Sequence, residues 1–116
     1  MQIARSLTAL AAAIGCAAAL TCSGLAAAAE PDLLLVIKNH RFEPSELKVR
    51  AGQRIKLVVH NQDSTPEEFE SKSLGREKIV PGGAKATLFI GPLKPGRYEF
   101  GGEYHDDTAQ GVVIAE

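Results

Sequence analysis

Beyond residue 30 the apolar positions fall in short runs, cut every six to twelve residues by Gly, Pro, Asn or Asp. The runs are rich in Val, Ile, Leu and Phe, which fit a pleated, half-buried surface. They predict strands over residues 33–38, 46–49, 54–60, 67–71, 84–90, 97–100 and 111–115. Within residues 84–90, Ala86, Leu88 and Ile90 alternate with Thr87 and Phe89. That two-residue period marks a strand with one face in a core. Turn residues separate the runs at 50–53, 61–66, Pro81-Gly82-Gly83 and Pro95-Gly96. Helical periodicity is nearly absent; at most one turn fits within residues 73–78. Seven to eight short strands at this spacing predict an all-β sandwich or barrel. Phe42, Phe69, Leu88, Tyr98 and Phe100 are its expected core anchors.

The first thirty residues follow another pattern. Residues 1–6 carry one positive charge, Arg5, and no acid, and residues 7–20 are almost wholly apolar. Residues 25–29 offer small side chains where a signal peptidase reads. A charged start, a short apolar run and an Ala-x-Ala ending predict a secretory signal peptide over residues 1–29, cleaved after Ala29. A membrane span fits less well, because polar residues break the run near Thr21 and no positive charges flank its far end. Cys16 and Cys22 both lie in this leader. Neither suits a lipoprotein cysteine: the apolar run before Cys16 is too short, and Thr21 is a poor residue before Cys22. The mature domain, residues 30–116, is expected to be periplasmic and free of cysteine. It then has no disulfide and no thiolate ligand.

Cleavage leaves 87 residues, one domain able to fold without staples. It keeps all 14 acids and 12 of the 13 bases, for a formal net charge of −2. No basic patch is large enough for nucleic acid. No second long apolar run or amphipathic stripe predicts membrane insertion. A hydrolase is disfavoured, because no Ser or Cys nucleophile sits in a recognisable motif.

Polar groups able to do chemistry concentrate in two segments. The first is Pro66-Glu67-Glu68-Phe69-Glu70. If Phe69 faces the core, alternation turns Glu67 inward at the strand's mouth and Glu68 and Glu70 outward. The second is Glu103-Tyr104-His105-Asp106-Asp107, with Gln110 shortly after it. Solvated carboxylates are the norm on a soluble domain. Six acids and one histidine in two segments are nonetheless denser than solubility needs, and carboxylate and imidazole are ligands for divalent and ferric ions. The candidate metal ligands are Glu67, Glu68, Glu103, His105 and Asp107, with Glu68 and Glu70 as a second, outer carboxylate pair. His40 and His60 are weaker candidates. His40 stands in a turn beside Arg41, a poor neighbour for a cation, and His60 ends a strand. Lys72, Arg76 and Lys78 read as a solvated face.

Three segments, in order, resemble the cupredoxins, small export-compartment domains that bind copper at one end of a Greek-key sandwich. Asn39-His40-Arg41-Phe42-Glu43-Pro44-Ser45-Glu46-Leu47-Lys48-Val49 looks like the family's opening, where a Phe-x-Pro turn feeds the second strand. Residues 52–61 look like its third strand and the loop toward the first copper histidine. Residues 98–111 look like the loop that bears the remaining ligands. The resemblance spans essentially the whole mature chain and implies a cupredoxin-like Greek-key β-sandwich. It also implies ligand slots, and this chain fills them differently. Glu67 stands at the first-histidine slot, Gly102 at the cysteine slot, His105 at the second-histidine slot and Gln110 at the axial slot. A blue-copper site depends on a Cu–thiolate bond, so the implied cofactor is a copper or iron ion held without one.

The altered runs, residues 65–71 and 102–111, look like small periplasmic cupredoxin-like proteins associated with bacterial iron permeases. That likeness implies an accessory of iron uptake that binds iron or copper, with ferrous-iron oxidation or metal transfer as its task. Its partner would be a membrane iron permease or a periplasmic iron-binding protein. A second reading stands beside it: an interaction module that keeps the fold and has lost the metal site. On the first reading Glu67 and His105 converge on one ion, and binding weakens once His105 is protonated.

Overall fold

Alternation along the strands decides which side chains face inward. The computed structural model describes residues 32–116, together with Ile3, Gly15 and Ala17. Apart from those three positions, the leader read over residues 1–29 lies outside the described residues, as do Cys16 and Cys22. The chain forms β1 (Leu33–Lys38), β2 (Arg41–Glu43), β3 (Glu46–Val49), β4 (Ile55–Asn61) and β5 (Glu67–Ser71). There follow β6 (Arg76–Val80), β7 (Lys85–Ile90), β8 (Gly96–Gly102), a 3-10 turn (Glu103–His105) and β9 (Gln110–Ala115). The nine strands among the described residues form two sheets, one ordered β2-β1-β4-β7 and the other β3-β9-β8-β5-β6. The β1–β4 and β3–β9 pairs are parallel and the others antiparallel.

The inner faces meet in one core. Leu35, Ile37, Leu57, Val59, Leu88 and Ile90 come from the first sheet, and Leu47, Phe69, Val80, Phe100 and Val113 from the second; all are buried. Each such side chain contributes roughly 1.5–3 kcal/mol on leaving water. Phe42, Phe69 and Phe100 pack together with ring centroids 5.1–6.1 Å apart. Four of the five expected anchors are buried, and the fifth, Tyr98, is half-buried against the core. The aromatic cluster floors one end of the sandwich. Two residues along from Phe69 and Phe100, on the same faces, stand Glu67 and Gly102.

Two expectations need correction. The segment expected to hold at most a helical turn, residues 73–78, is a hairpin loop running into β6, which pairs with β5 from Ser71↔Arg76 to Glu67↔Val80. Four of the five β6 residues are exposed, so no alternation betrays it. The three-residue β2 also escapes the pattern, having one apolar residue, Phe42. β1 and β2 join through Asn39 and His40, with φ of 52° and 56°. That is the left-handed pair a two-residue hairpin turn requires.

Candidate metal centre

Glu67 opens β5 on its inward side and is 1% exposed. A carboxylate so placed must be supplied with partners. Its Oε1 accepts the backbone N–H of Glu68 and of Tyr104, both at 3.0 Å. The antiparallel pairing of β5 with β8 brings residue 104 opposite it. The 3-10 turn then folds His105 back, so that Nδ1 lies 2.5 Å from Glu67 Oε2. The turn is closed by its own backbone: Ala109 N–H donates to His105 O at 2.8 Å, and Gly102 N–H to Ala109 O at 2.8 Å. Thus β5 presents the carboxylate, and the β8–β9 connection presents the imidazole. The pair expected from sequence is side by side.

The other candidates do not join it. Glu68 and Glu103 lie on the outside with Glu77, their carboxylate oxygens within 4.8 Å of one another. This is the one group of three or more metal-ligating side chains among the described residues. Asp107 belongs to neither group and is exposed. The five-residue ligand set therefore splits, because strand alternation sends Glu67 and Glu68 to opposite faces. Glu70 follows Glu68 by two residues on the same strand and so shares its outward side. Glu70 also lines an open groove of about 920 Å³ with Glu99, Asp106 and Gln110. Gln110 turns its amide N–H to Asp106 O at 2.9 Å. The crowding on the outer face pushes the Glu68 carboxyl above its ordinary value, first through its hydrogen bond with Glu77, then through burial and the neighbouring charges.

Two residues at these sites were missed or underrated. Glu77 sits on β6, and its signal was a four-residue loop ending in Gly75, a hairpin cue. His40, beside Arg41, reads from sequence as a weak ligand candidate. Its ring stacks on His105, with centroids 3.6 Å apart and planes within 11°. The backbone N–H groups of Asn39 and His40 both donate to Asp63, at 2.8 and 2.9 Å. The bond from His40 is the main reason the Asp63 carboxyl lies below its usual range. His60 lies away from this cluster, on β4 opposite Lys85.

A thiolate does not fit here. A Cβ added at Gly102 would lie 2.7 Å from both Ala109 Cβ and Glu67 Cδ, and 2.8 Å from Glu67 Oε1. The Glu67 carboxylate occupies the room a cysteine would need, so the glycine and the glutamate go together. A harder ion fits the donor set, oxygen from Glu67 and nitrogen from His105. Two atoms each about 2.0–2.2 Å from one ion at a right angle stand about 3 Å apart. The pair at 2.5 Å would have to open slightly to admit it.

The family model described as the cupredoxin-like domain matches residues 7–115. The chain is 46% identical over 83 residues to the uncharacterized protein RP394 of Rickettsia prowazekii (strain Madrid E), covering 72% of this chain and 66% of that protein, just under two thirds of its length. Among solved structures it is similar to a reduced amicyanin variant, with TM-score 0.62, 20% identity, 78% of this chain and 88% of that one. It is similar also to a purple cupredoxin from Nitrosopumilus maritimus, with TM-score 0.56, 18% identity, 73% of this chain and 100% of that one. A third likeness is the metal-binding domain of the Streptococcus pneumoniae D39 Cu(I)-exporting P-type ATPase CopA with Cu(I), with TM-score 0.65, 13% identity, 73% of this chain and 84% of that one. At these identities the structures share the fold.

Proposed function

The chain belongs to the cupredoxin-like domain family, and from that premise we propose that it is a metal-binding protein whose site is built on Glu67 and His105. The observation that carries this is a carboxylate 1% exposed, aimed at an imidazole that is itself a quarter exposed, at the polar end of the sandwich. Glu67 is held from behind by two backbone N–H groups, so its second oxygen is already oriented. His105 links that oxygen to solvent, where an ion arrives. Ligation by oxygen and nitrogen suits Fe, Mn or a tetragonal Cu(II) better than Cu(I). The ion would supply the redox or Lewis-acid chemistry; the chain's residues hold, orient and partly shield it.

The finer reading is an accessory of iron uptake in the periplasm, exported by its leader. There it would bind iron or copper beside a membrane iron permease or a periplasmic iron-binding protein, with metal transfer or ferrous-iron oxidation as its task. The runs at residues 65–71 and 102–111 support it by their likeness to such proteins. A metal-free interaction module is favoured by one observation. Among the described residues every buried polar side-chain atom is hydrogen-bonded without an ion.

Cu(II) addition to the mature protein separates the two. The metal reading expects stoichiometric binding, weak visible absorption without an intense thiolate band, and nitrogen coupling in the paramagnetic resonance spectrum that vanishes in His105→Ala. Absence of binding would leave the interaction module. An anaerobic Fe(II) titration then tests the iron role, which fails if Cu(II) binds and iron does not.

A further inference from the structure

We propose that His40 is a positioning residue of this site: its ring stacks on His105 and holds that imidazole with Nδ1 toward Glu67. This rests on the Glu67–His105 reading above and adds a third residue to it. His105 ends a single 3-10 turn, and its side chain is 25% exposed. The ring's one hydrogen bond among the described residues, between Nδ1 and Glu67, leaves it free to pivot about that contact. A second ring laid parallel against it, 3.6 Å away, removes the pivot.

The place of His40 is built from several directions. A side chain at φ 56° is disfavoured for any L-residue, so the backbone must be held there. Asp63 accepts the N–H groups of Asn39 and His40. Asp63 is itself held by Asn61, which is fully buried and whose Oδ1 accepts the Asp63 N–H at 3.0 Å. From the opposite side, Thr108 Oγ1 donates to His40 O at 2.6 Å. Thr108 belongs to the loop that carries His105, and its N–H donates to His105 O at 3.2 Å. The β1–β2 turn and the ligand loop, 68 residues apart, are thereby tied so that the two rings meet.

The stack also distinguishes positioning from ligation. Imidazole nitrogens bind in the plane of their ring. With planes within 11° and ring centroids 3.6 Å apart, an ion bound in the plane of His105 beside its nitrogen lies outside the plane of His40. His40 therefore orients the ligand and covers one of its faces.

Two variants test this. His40→Gly removes the ring while suiting the positive φ, so the backbone bonds to Asp63 and Thr108 survive and the fold is kept. His40→Phe restores a stacking ring without a nitrogen. Two readouts apply: nitrogen NMR of the His105 imidazole in the metal-free protein, and Cu(II) titration. His40→Gly is expected to average the His105 tautomers and to weaken Cu(II) binding about 10-fold, the loss typical when a residue orienting a ligand is removed. His40→Phe is expected to restore both. Wild-type signals and affinity in His40→Gly would overturn the proposal. So would a His40→Phe variant as weak as His40→Gly, because the nitrogen would then be what matters. If the wild type binds no Cu(II), the metal reading falls. The NMR comparison still decides the positioning role, which an unchanged His105 tautomer in His40→Gly would overturn.

Discussion

Glu67 and Glu68 are adjacent in sequence and opposite in surroundings. Glu67 faces inward, with two backbone N–H donors on one oxygen and His105 on the other. Glu68 faces outward beside Glu77 and Glu103, with other acids as its nearest polar company. The outer cluster holds more carboxylates, yet it resembles a site less. Its groups repel one another, and the Glu68 carboxyl gives up acidity, chiefly through its hydrogen bond with Glu77, then through burial and the neighbouring charges. The inner carboxylate is desolvated and oriented in advance, which is what a ligand or an electrostatic partner needs. Density of acids along a chain is therefore a poor guide to a site. Placement of one acid against fixed donors is a better one.

Removing Glu67 should break this contrast most severely. Glu67→Ala strands the N–H groups of Glu68 and Tyr104 and leaves a void, at about 3 kcal/mol in urea unfolding. Glu67→Gln should recover most of that, since its amide oxygen still accepts both bonds. A Glu67→Ala variant no less stable than Glu68→Ala would erase the distinction between the two faces.

Gly102→Cys sharpens the same point from across the cavity. The new side chain meets Glu67 and Ala109 at 2.7 Å, and overpacking of that kind costs typically 1–3 kcal/mol. The loss should shrink when Glu67→Ala is added, giving a coupling energy of roughly 1 kcal/mol in a double-mutant cycle. Additive losses would mean that the carboxylate does not occupy the place of a side chain at position 102.

The smallest effect belongs to the outer face. The carboxyl of Glu68 is raised in the folded chain above its ordinary value of 4.5. A raised acid binds more protons folded than unfolded, so its contribution to stability is full below 4.5 and is lost as pH rises through the folded value. Glu77→Gln removes the chief cause. It should raise the melting temperature slightly at neutral pH, with the difference from wild type vanishing below pH 4.5. A difference that grows in acid would contradict the sign.

Much of this was legible in the sequence, and particular residues show where legibility stopped. β1, β3 and β5 lie where the apolar pattern puts them, because one buried face imposes a two-residue period. From Phe69 alone that period sends Glu67 inward and Glu68 outward. β6 escaped because Arg76, Glu77, Lys78 and Ile79 are all exposed, leaving no buried face to read. The stack of His40 on His105 joins residues far apart in sequence through a left-handed turn held by Asp63. No local pattern encodes that contact. The same holds for the outer trio: Glu77 comes from a strand that the pattern did not show.

The inner pair, and not the outer carboxylates, is the proposed metal site. Isothermal titration of Cu(II), and of Mn(II) as an air-stable substitute for Fe(II), tests this directly in the wild type, His105→Ala, Glu77→Gln and Glu103→Gln. Losing a ligand should cost at least the ~10-fold that losing an orienting neighbour does. His105→Ala is therefore expected to bind at least ten-fold more weakly, and the two outer variants to match the wild type within about two-fold. Undiminished binding in His105→Ala, with binding lost in Glu77→Gln or Glu103→Gln, would place the ion on the outer face and contradict the account.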